Sequence, residues 1–128
     1  MTVRRRERGA AAVEFDLVVP ILIALVLGIA AFGRGYQIQS TLSMAAREGV
    51  RVAAIERDIG AGQTRAVATA TDLGLPGTTA SATGSEACDA PNQRARIQVT
   101  TTYDFLGFSG FFGTPIQMTG KAEMRCGG

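Results

Sequence analysis

The sequence predicts an α+β chain: a long N-terminal transmembrane and then amphipathic helix, a short second helix, and a small antiparallel β-sheet. Three observations predict it. Sixteen residues from Leu17 to Phe32 carry no charge. Apolar residues then recur at helical spacing from Ile38 to Val52, and two later segments alternate with period two. At 128 residues the chain has room for one modest domain beyond such an anchor.

The apolar segment, taken with Ala10 to Val13 in front of it, runs from Ala10 to Gly33 and is interrupted by Glu14 and Asp16. A hydrocarbon core is crossed by ~20 helical residues at ~1.5 Å each, so this length suffices. Arg4, Arg5, Arg6 and Arg8 precede it against a single Glu7, and no comparable basic cluster follows. The positive-inside rule then puts the N-terminus in the cytoplasm and everything after about Arg34 outside. The expected organisation is a basic cytoplasmic leader (1–9), a transmembrane helix (10–33) and an extracytoplasmic domain (34–128). A cleaved secretory signal is the rival reading, although such a signal seldom enters its apolar run through a Glu and an Asp.

Beyond the span, Ile38, Leu42, Ala45, Gly49 and Val52 keep a mostly four-three rhythm, with Ile59 a further seven on. That rhythm gives an amphipathic helix with a narrow apolar seam. One continuous helix from Ala10 to about Ile55 is expected, with Asp58-Ile59-Gly60-Ala61-Gly62 as the turn that ends it. A second helix from about Gln63 to Leu73 stops at Gly74, with Pro76 beyond. Residues 77–92 are small and polar, a loop or a loose edge strand. Ile97, Val99, Thr101, Tyr103 and Phe105 then alternate with Arg96, Gln98, Thr100, Thr102 and Asp104. The same pattern holds from Ile116 to Cys126. These read as two half-buried strands whose small and aliphatic faces lie across the helix. The phenylalanine-rich link Leu106–Gly113 has two open readings: contact with a membrane or neighbour, or closure of the core.

Function is carried by the start of the anchor, Arg8-Gly9-Ala10-Ala11-Ala12-Val13-Glu14-Phe15. A carboxylate close to a bilayer is costly and usually has a partner. Hydrolysis of the bond after Gly9 would create an ammonium group on Ala10, four residues from Glu14 and on the same helix face. In an assembly the carboxylate could instead meet the new terminus of a neighbour. Glycine before the bond suits a protease that takes extended, unhindered backbone.

This string resembles a type IV prepilin-peptidase site: a charged leader ending in Gly, then Glu and Phe at the fifth and sixth positions. Residues 8–54, RGAAAVEFDLVVPILIALVLGIAAFGRGYQIQSTLSMAAREGVRVAA, resemble the TadE-like pseudopilins of the Tad (Flp) pilus system. The likeness includes Pro20, Phe32-Gly33-Arg34 with Tyr36, and Ala45-Ala46-Arg47-Glu48-Gly49. It implies a pilin-like fold, processing between Gly9 and Ala10 by a prepilin peptidase, and Glu14 with Phe15 as assembly residues. It implies the membrane and other pilin or pseudopilin subunits of the pilus machinery as partners. Asp16 departs from the pattern, which expects an apolar or small residue.

Cys88 and Cys126, in an exported domain with a thin core, are most simply a disulfide; two unrelated thiols are the alternative. No metal site or cofactor is expected, because the chain has no histidine and two cysteines cannot complete a tetrahedral set. The same lack of histidine, with scattered carboxylates and no phosphate loop or nucleophile elbow, predicts no enzyme and no small-molecule substrate. The formal charge is +2, but removing the four leader arginines and Glu7 leaves nine basic and ten acidic side chains. No clustered basic face, and hence no nucleic-acid partner, is expected on the folded part. The predicted function is a membrane-anchored pseudopilin. The alternatives are a signal-anchored structural or adhesive ectodomain, and a secreted binding domain released by signal peptidase.

Overall fold

The computed structural model describes residues 4–82, 88, 92–103 and 115–127, with backbone alone for 4–8. Its elements are α1 (Arg4–Glu56), α2 (Ile59–Asp72), β1 (Thr79–Ala82), β2 (Arg94–Tyr103) and β3 (Ile116–Arg125). The class is α+β, with a three-stranded antiparallel sheet in the order β1-β2-β3. Contacts divide the chain into two units, residues 1–34 and 35–128.

The first unit is the N-terminal part of α1, helical from Arg4 and thus six residues earlier than the apolar pattern begins. Arginine is a good helix former, and Gly9 alone does not interrupt the run. Pro20 lies inside the helix. It has no N–H to give the carbonyl of Asp16. Val13, Phe15, Leu17, Ile21, Leu22 and Ile29 are all more than half exposed. A helix apolar on every side belongs in an apolar medium or a protein core. This is the one helix among the described residues long and apolar enough to cross a membrane, its best window having a mean hydropathy of 2.6 with 6% buried.

The second unit begins with the remainder of α1. Ile38, Leu42, Ala45, Ala46, Val50, Ala53 and Ala54 are buried. The buried stripe is therefore wider than the expected seam: Val50, Ala53 and Ala54 are in it, and Val52 is only half-buried. The reason is that two elements approach this helix. A Cβ added to Gly49 would lie 2.6 Å from Ala66 Cβ and 2.7 Å from the carbonyl oxygen of Gly62, both in α2. A Cβ on Gly120 of β3 would lie 2.5 Å from the backbone carbonyl of Leu42.

The expected turn at 58–62 is instead the start of α2. Arg57, with φ +57°, breaks the helical path. Asp58 then caps α2, its Oδ1 accepting from the N–H of Gly60 at 2.8 Å and of Ala61 at 3.3 Å. Glycines 60 and 62 look like breakers in the sequence. Gly62 is needed inside the helix, since its Cβ would meet Ala53 Cβ at 2.6 Å and Ile97 Cδ1 at 2.9 Å. At the other end the Leu75 N–H reaches back to the Ala70 carbonyl across left-handed Gly74, φ +86°. This glycine closure stops α2 near the expected place.

The polar stretch after α2 supplies edge strand β1, in which Ala80 pairs with Val99 and Ala82 with Ile97. On the same inward face, Val99 opposes Gly120 and Ile97 opposes Ala122. Ala95, Ile97, Val99 and Thr101 are buried, as the alternation predicts. Ile116 and Met124 depart from it, being 56% and 37% exposed near the two ends of β3. The link Leu106–Gly113, with Asp104 and Phe105, lies outside the described residues.

Gly120→Ala is expected to lower stability by about 1–3 kcal/mol, because its methyl meets backbone, which cannot rotate away. Gly35→Ala, with nothing within 4 Å, should be neutral or stabilising by up to ~1 kcal/mol. Thermal unfolding of the full chain in detergent, followed by circular dichroism, checks both.

Candidate functional site

Gly9, Ala10, Glu14 and Phe15 lie on consecutive turns of α1 and are all exposed. The helix puts Ala10 and Glu14 on one face, with Cβ atoms ~5–6 Å apart by the four-residue spacing. Phe15 is 69% exposed and Asp16 is exposed as well. An added Cβ at Gly9 has nothing within 4 Å. The described fold therefore does not require glycine there. The bond between Gly9 and Ala10 is helical in this structure, so an extended substrate conformation there means unwinding the first turns of α1.

Cys88 and Cys126 are bonded, with Cα atoms 5.3 Å apart and both residues buried. The bridge holds Cys88 to the end of β3. Two backbone bonds fix the same end: Cys126 N–H to the Gln93 carbonyl at 2.9 Å, and Gly127 N–H to the Ala54 carbonyl at 3.2 Å. Cys88→Ser with Cys126→Ser should destabilise the chain by up to ~4 kcal/mol, the loop-entropy figure for a sequence separation of 38. Reducing and non-reducing unfolding curves should show the same gap for the native sequence and none for the double variant.

Two clusters of charge lie in the second unit. On the helices, Glu48 meets Arg51 at 4.0 Å and Arg65 of α2 at 3.5 Å. The α2 partner is not visible from the Arg47-Glu48-Arg51 string alone. On the sheet, strand register sets Arg94 opposite Arg125, Arg96 opposite Glu123, and Gln98 opposite Lys121. These side chains share the outward face. The absence of a clustered basic face, expected from the charge balance, is thereby corrected. The cations are scattered in sequence but gathered by pairing. Alternation alone would have placed them on one face of each strand; only the register shows that the two groups coincide.

Glu123 bridges two arginines. Its Oε1 accepts from Arg94 Nη1 at 2.9 Å, and its Oε2 accepts from Arg96 Nε at 2.9 Å and Nη2 at 2.5 Å. The bonds from Arg94 and then Arg96 hold the carboxyl below its ordinary value of 4.5. A depressed carboxylate stabilises the fold above its unfolded pKa, and that contribution is lost as pH falls through the lower folded value. Below pH 4.5 the native chain should lose stability that Glu123→Gln does not lose over the same window. Paired denaturation curves at stepped pH check this, and a wild-type slope matching the variant's would refute it.

Among the described residues no group of three or more His, Cys, Asp or Glu side chains could hold a metal. A shallow groove on α1 is lined by Tyr36, Gln39, Ser40, Ser43, Met44 and Arg47. It contains no arrangement of acid, base and nucleophile.

The model of the TadE-like protein family matches residues 9–51. The resemblance read over residues 8–54 is thus shown across nearly all of that segment, including Gly9, Ala10, Glu14 and Phe15. The family is structural and associated with the Tad pilus, and the apolar helix within the matched segment fits a membrane anchor. Neither a curated protein nor a solved structure matches the chain.

Proposed function

We propose that this TadE-like chain is a pseudopilin, a minor pilin-like subunit of a Tad (Flp) pilus assembly system. Residues 1–9 are its cytoplasmic leader, 10–33 its single membrane span and 34–128 its extracytoplasmic domain. A prepilin peptidase hydrolyses the Gly9–Ala10 bond. The observation that carries this reading is the Gly9-Ala10…Glu14-Phe15 string at the head of a helix whose apolar residues from Val13 to Ile29 are mostly exposed.

The chemistry follows from those few residues. Hydrolysis gives Gly9 a carboxylate, which leaves with the leader, and gives Ala10 an ammonium. Removing the leader also removes Arg4, Arg5, Arg6 and Arg8, the cations that oppose moving this end into the bilayer. The mature helix then begins with a positive terminus and, one turn later, Glu14. A carboxylate in a first turn is favoured by the helix dipole. At membrane depth it is further favoured by an ammonium, its own or that of the adjacent subunit. Phe15, beside Glu14, adds apolar surface for a neighbouring helix. Gly9 eases the unwinding that cleavage demands, since glycine resists helix by about 1 kcal/mol relative to alanine.

Intact-mass analysis of protein taken from its native membrane is expected to show a chain starting at Ala10. A mature chain starting at Met1 or Thr2 would instead indicate an uncleaved anchor, and a start in the thirties a released domain; either sinks the proposal. Glu14→Ala should leave membrane insertion intact and cut recovery in crosslinked pilus-machinery complexes severalfold. Equal recovery of the variant would remove Glu14 from assembly.

A further inference from the structure

The outward face of the sheet carries a cluster of cations that lies apart from the Gly9–Phe15 string. Arg94, Arg96, Lys121 and Arg125 stand there against the single acid Glu123, a local excess of three positive charges. Both helices lie on the opposite face, where Gly62 of α2 approaches Ile97 and Leu42 of α1 approaches Gly120. Among the described residues nothing covers the cations. The side chains of Arg94 and Arg96 are 58% and 47% exposed.

The arrangement is ordered rather than merely basic. Glu123 takes one N–H from Arg94 and two from Arg96, with both oxygens engaged. One carboxylate thus holds two guanidinium groups side by side, while most of their N–H donors stay unspent. Across the strand pair, Arg125 opposes Arg94 and makes no ion pair among the described residues. Guanidinium forks match carboxylates through paired N–H···O bonds. Towards the other end of the same face the residues are neutral: Thr79 donates to the Thr100 carbonyl, and Thr100 meets Thr119 at 3.4 Å.

We propose that this face docks an acidic segment of a partner protein, with Arg94 and Arg96 as the principal anchors and Glu123 as their positioning residue. The surroundings favour protein over the other anionic partners. The described outward residues include no aromatic on which bases could stack. An excess of three charges falls well short of the roughly six to ten phosphate contacts of strongly salt-dependent duplex binding. Met124, 37% exposed, lines a groove with Arg94, Glu123 and Arg125, and one such side chain falls short of the apolar face that enters a lipid surface. The threonine and glutamine neighbours supply hydrogen bonds that suit a polypeptide. A second copy of the chain is a poor occupant on charge grounds: Glu48 is already engaged by arginines, Asp58 caps α2, and the exposed Glu56 and Asp72 stand singly rather than in an acidic run.

The test uses the full chain in zwitterionic micelles and a fluorescent ten-residue peptide of alternating Glu and Ser, read by anisotropy. Native protein should bind the peptide, and Arg94→Ala and Arg96→Ala should each weaken binding about tenfold. Arg96→Lys, which keeps the charge and loses the fork, should weaken it by a similar factor. Glu123→Gln is the decisive variant. It makes the face more positive, so diffuse attraction predicts tighter binding, whereas loss of the held guanidinium pair predicts weaker binding. Unchanged or tighter binding by Glu123→Gln, or no binding by the native chain, overturns the proposal. So does tighter binding to a DNA duplex of equal charge. An intact Cys88–Cys126 bond and native circular dichroism in each variant show that loss of binding is not loss of fold. Because the readout involves neither cleavage nor pilus assembly, its failure leaves the pseudopilin reading standing, and the reverse holds as well.

Discussion

The second unit depends on backbone meeting backbone where no side chain intervenes. Gly120 sets β3 directly on the Leu42 peptide, and Gly49 and Gly62 set two helices against each other. Such proximity leaves little room for large side chains. The buried set is accordingly rich in alanine, with Leu42, Val50, Ile97 and Val99 the largest aliphatic members that are completely buried. Burial of each of those four is worth roughly 1.5–3 kcal/mol, and alanines add far less. A core of this kind gains from being dense rather than large. It also explains why the C-terminal end of β3 is fastened three times, by the disulfide and by the Cys126 and Gly127 backbone bonds.

The same constraint decides what could be read from the sequence. Helix and strand periods survive because they record which side of each element is covered. The apolar N-terminal helix, the rod to about residue 55, the two long strands and most of their inner faces were legible for that reason. Glycine was the obscuring letter. In Gly60-Ala61-Gly62 it reads locally as a chain break, yet Gly62 serves a contact with Ala53 and Ile97, residues distant in sequence. The wider buried stripe on α1 was hidden similarly, since a seam counted along one helix cannot reveal that two elements approach it. Of the candidate site, the Gly9-to-Phe15 string could be picked out in the sequence because the chemistry proposed for it is local to two helical turns. The Arg94–Arg96–Glu123 cluster was not, because it exists only once β2 and β3 are in register.

Charge shows the difference between composition and arrangement most clearly. Beyond the leader, acids exceed bases by one, which suggests a surface without polarity. Pairing of two ten-residue strands nevertheless collects four cations around one acid on one face. Cross-strand neighbours lie only ~4.5–5.5 Å apart, so register acts on charge as strongly as sequence spacing does in a helix. Glu123 is the residue that makes this tolerable, since without it Arg94 and Arg96, two positions apart on the same face, would repel each other.

The glycines of α1 separate the demands of folding from those of use. Gly49 is enclosed on the side where a Cβ would stand, and its identity follows from packing. Gly9 meets nothing within 4 Å and lies in a helix that alanine would favour. Gly28, Gly33 and Gly35 are equally open, so packing among the described residues accounts for none of these four glycines. Packing among the described residues leaves most of the apolar surface from Val13 to Phe32 uncovered as well. Residues 38–54 of the same helix bury a stripe and expose the rest, as a helix between a core and water must. Residues 13–32, apart from the buried Ala31, expose apolar groups all round, which is stable only in hydrocarbon or among other apolar helices. One helix therefore carries two solvent specifications in sequence, and Gly9 and the early carboxylate stand together at the start of the first.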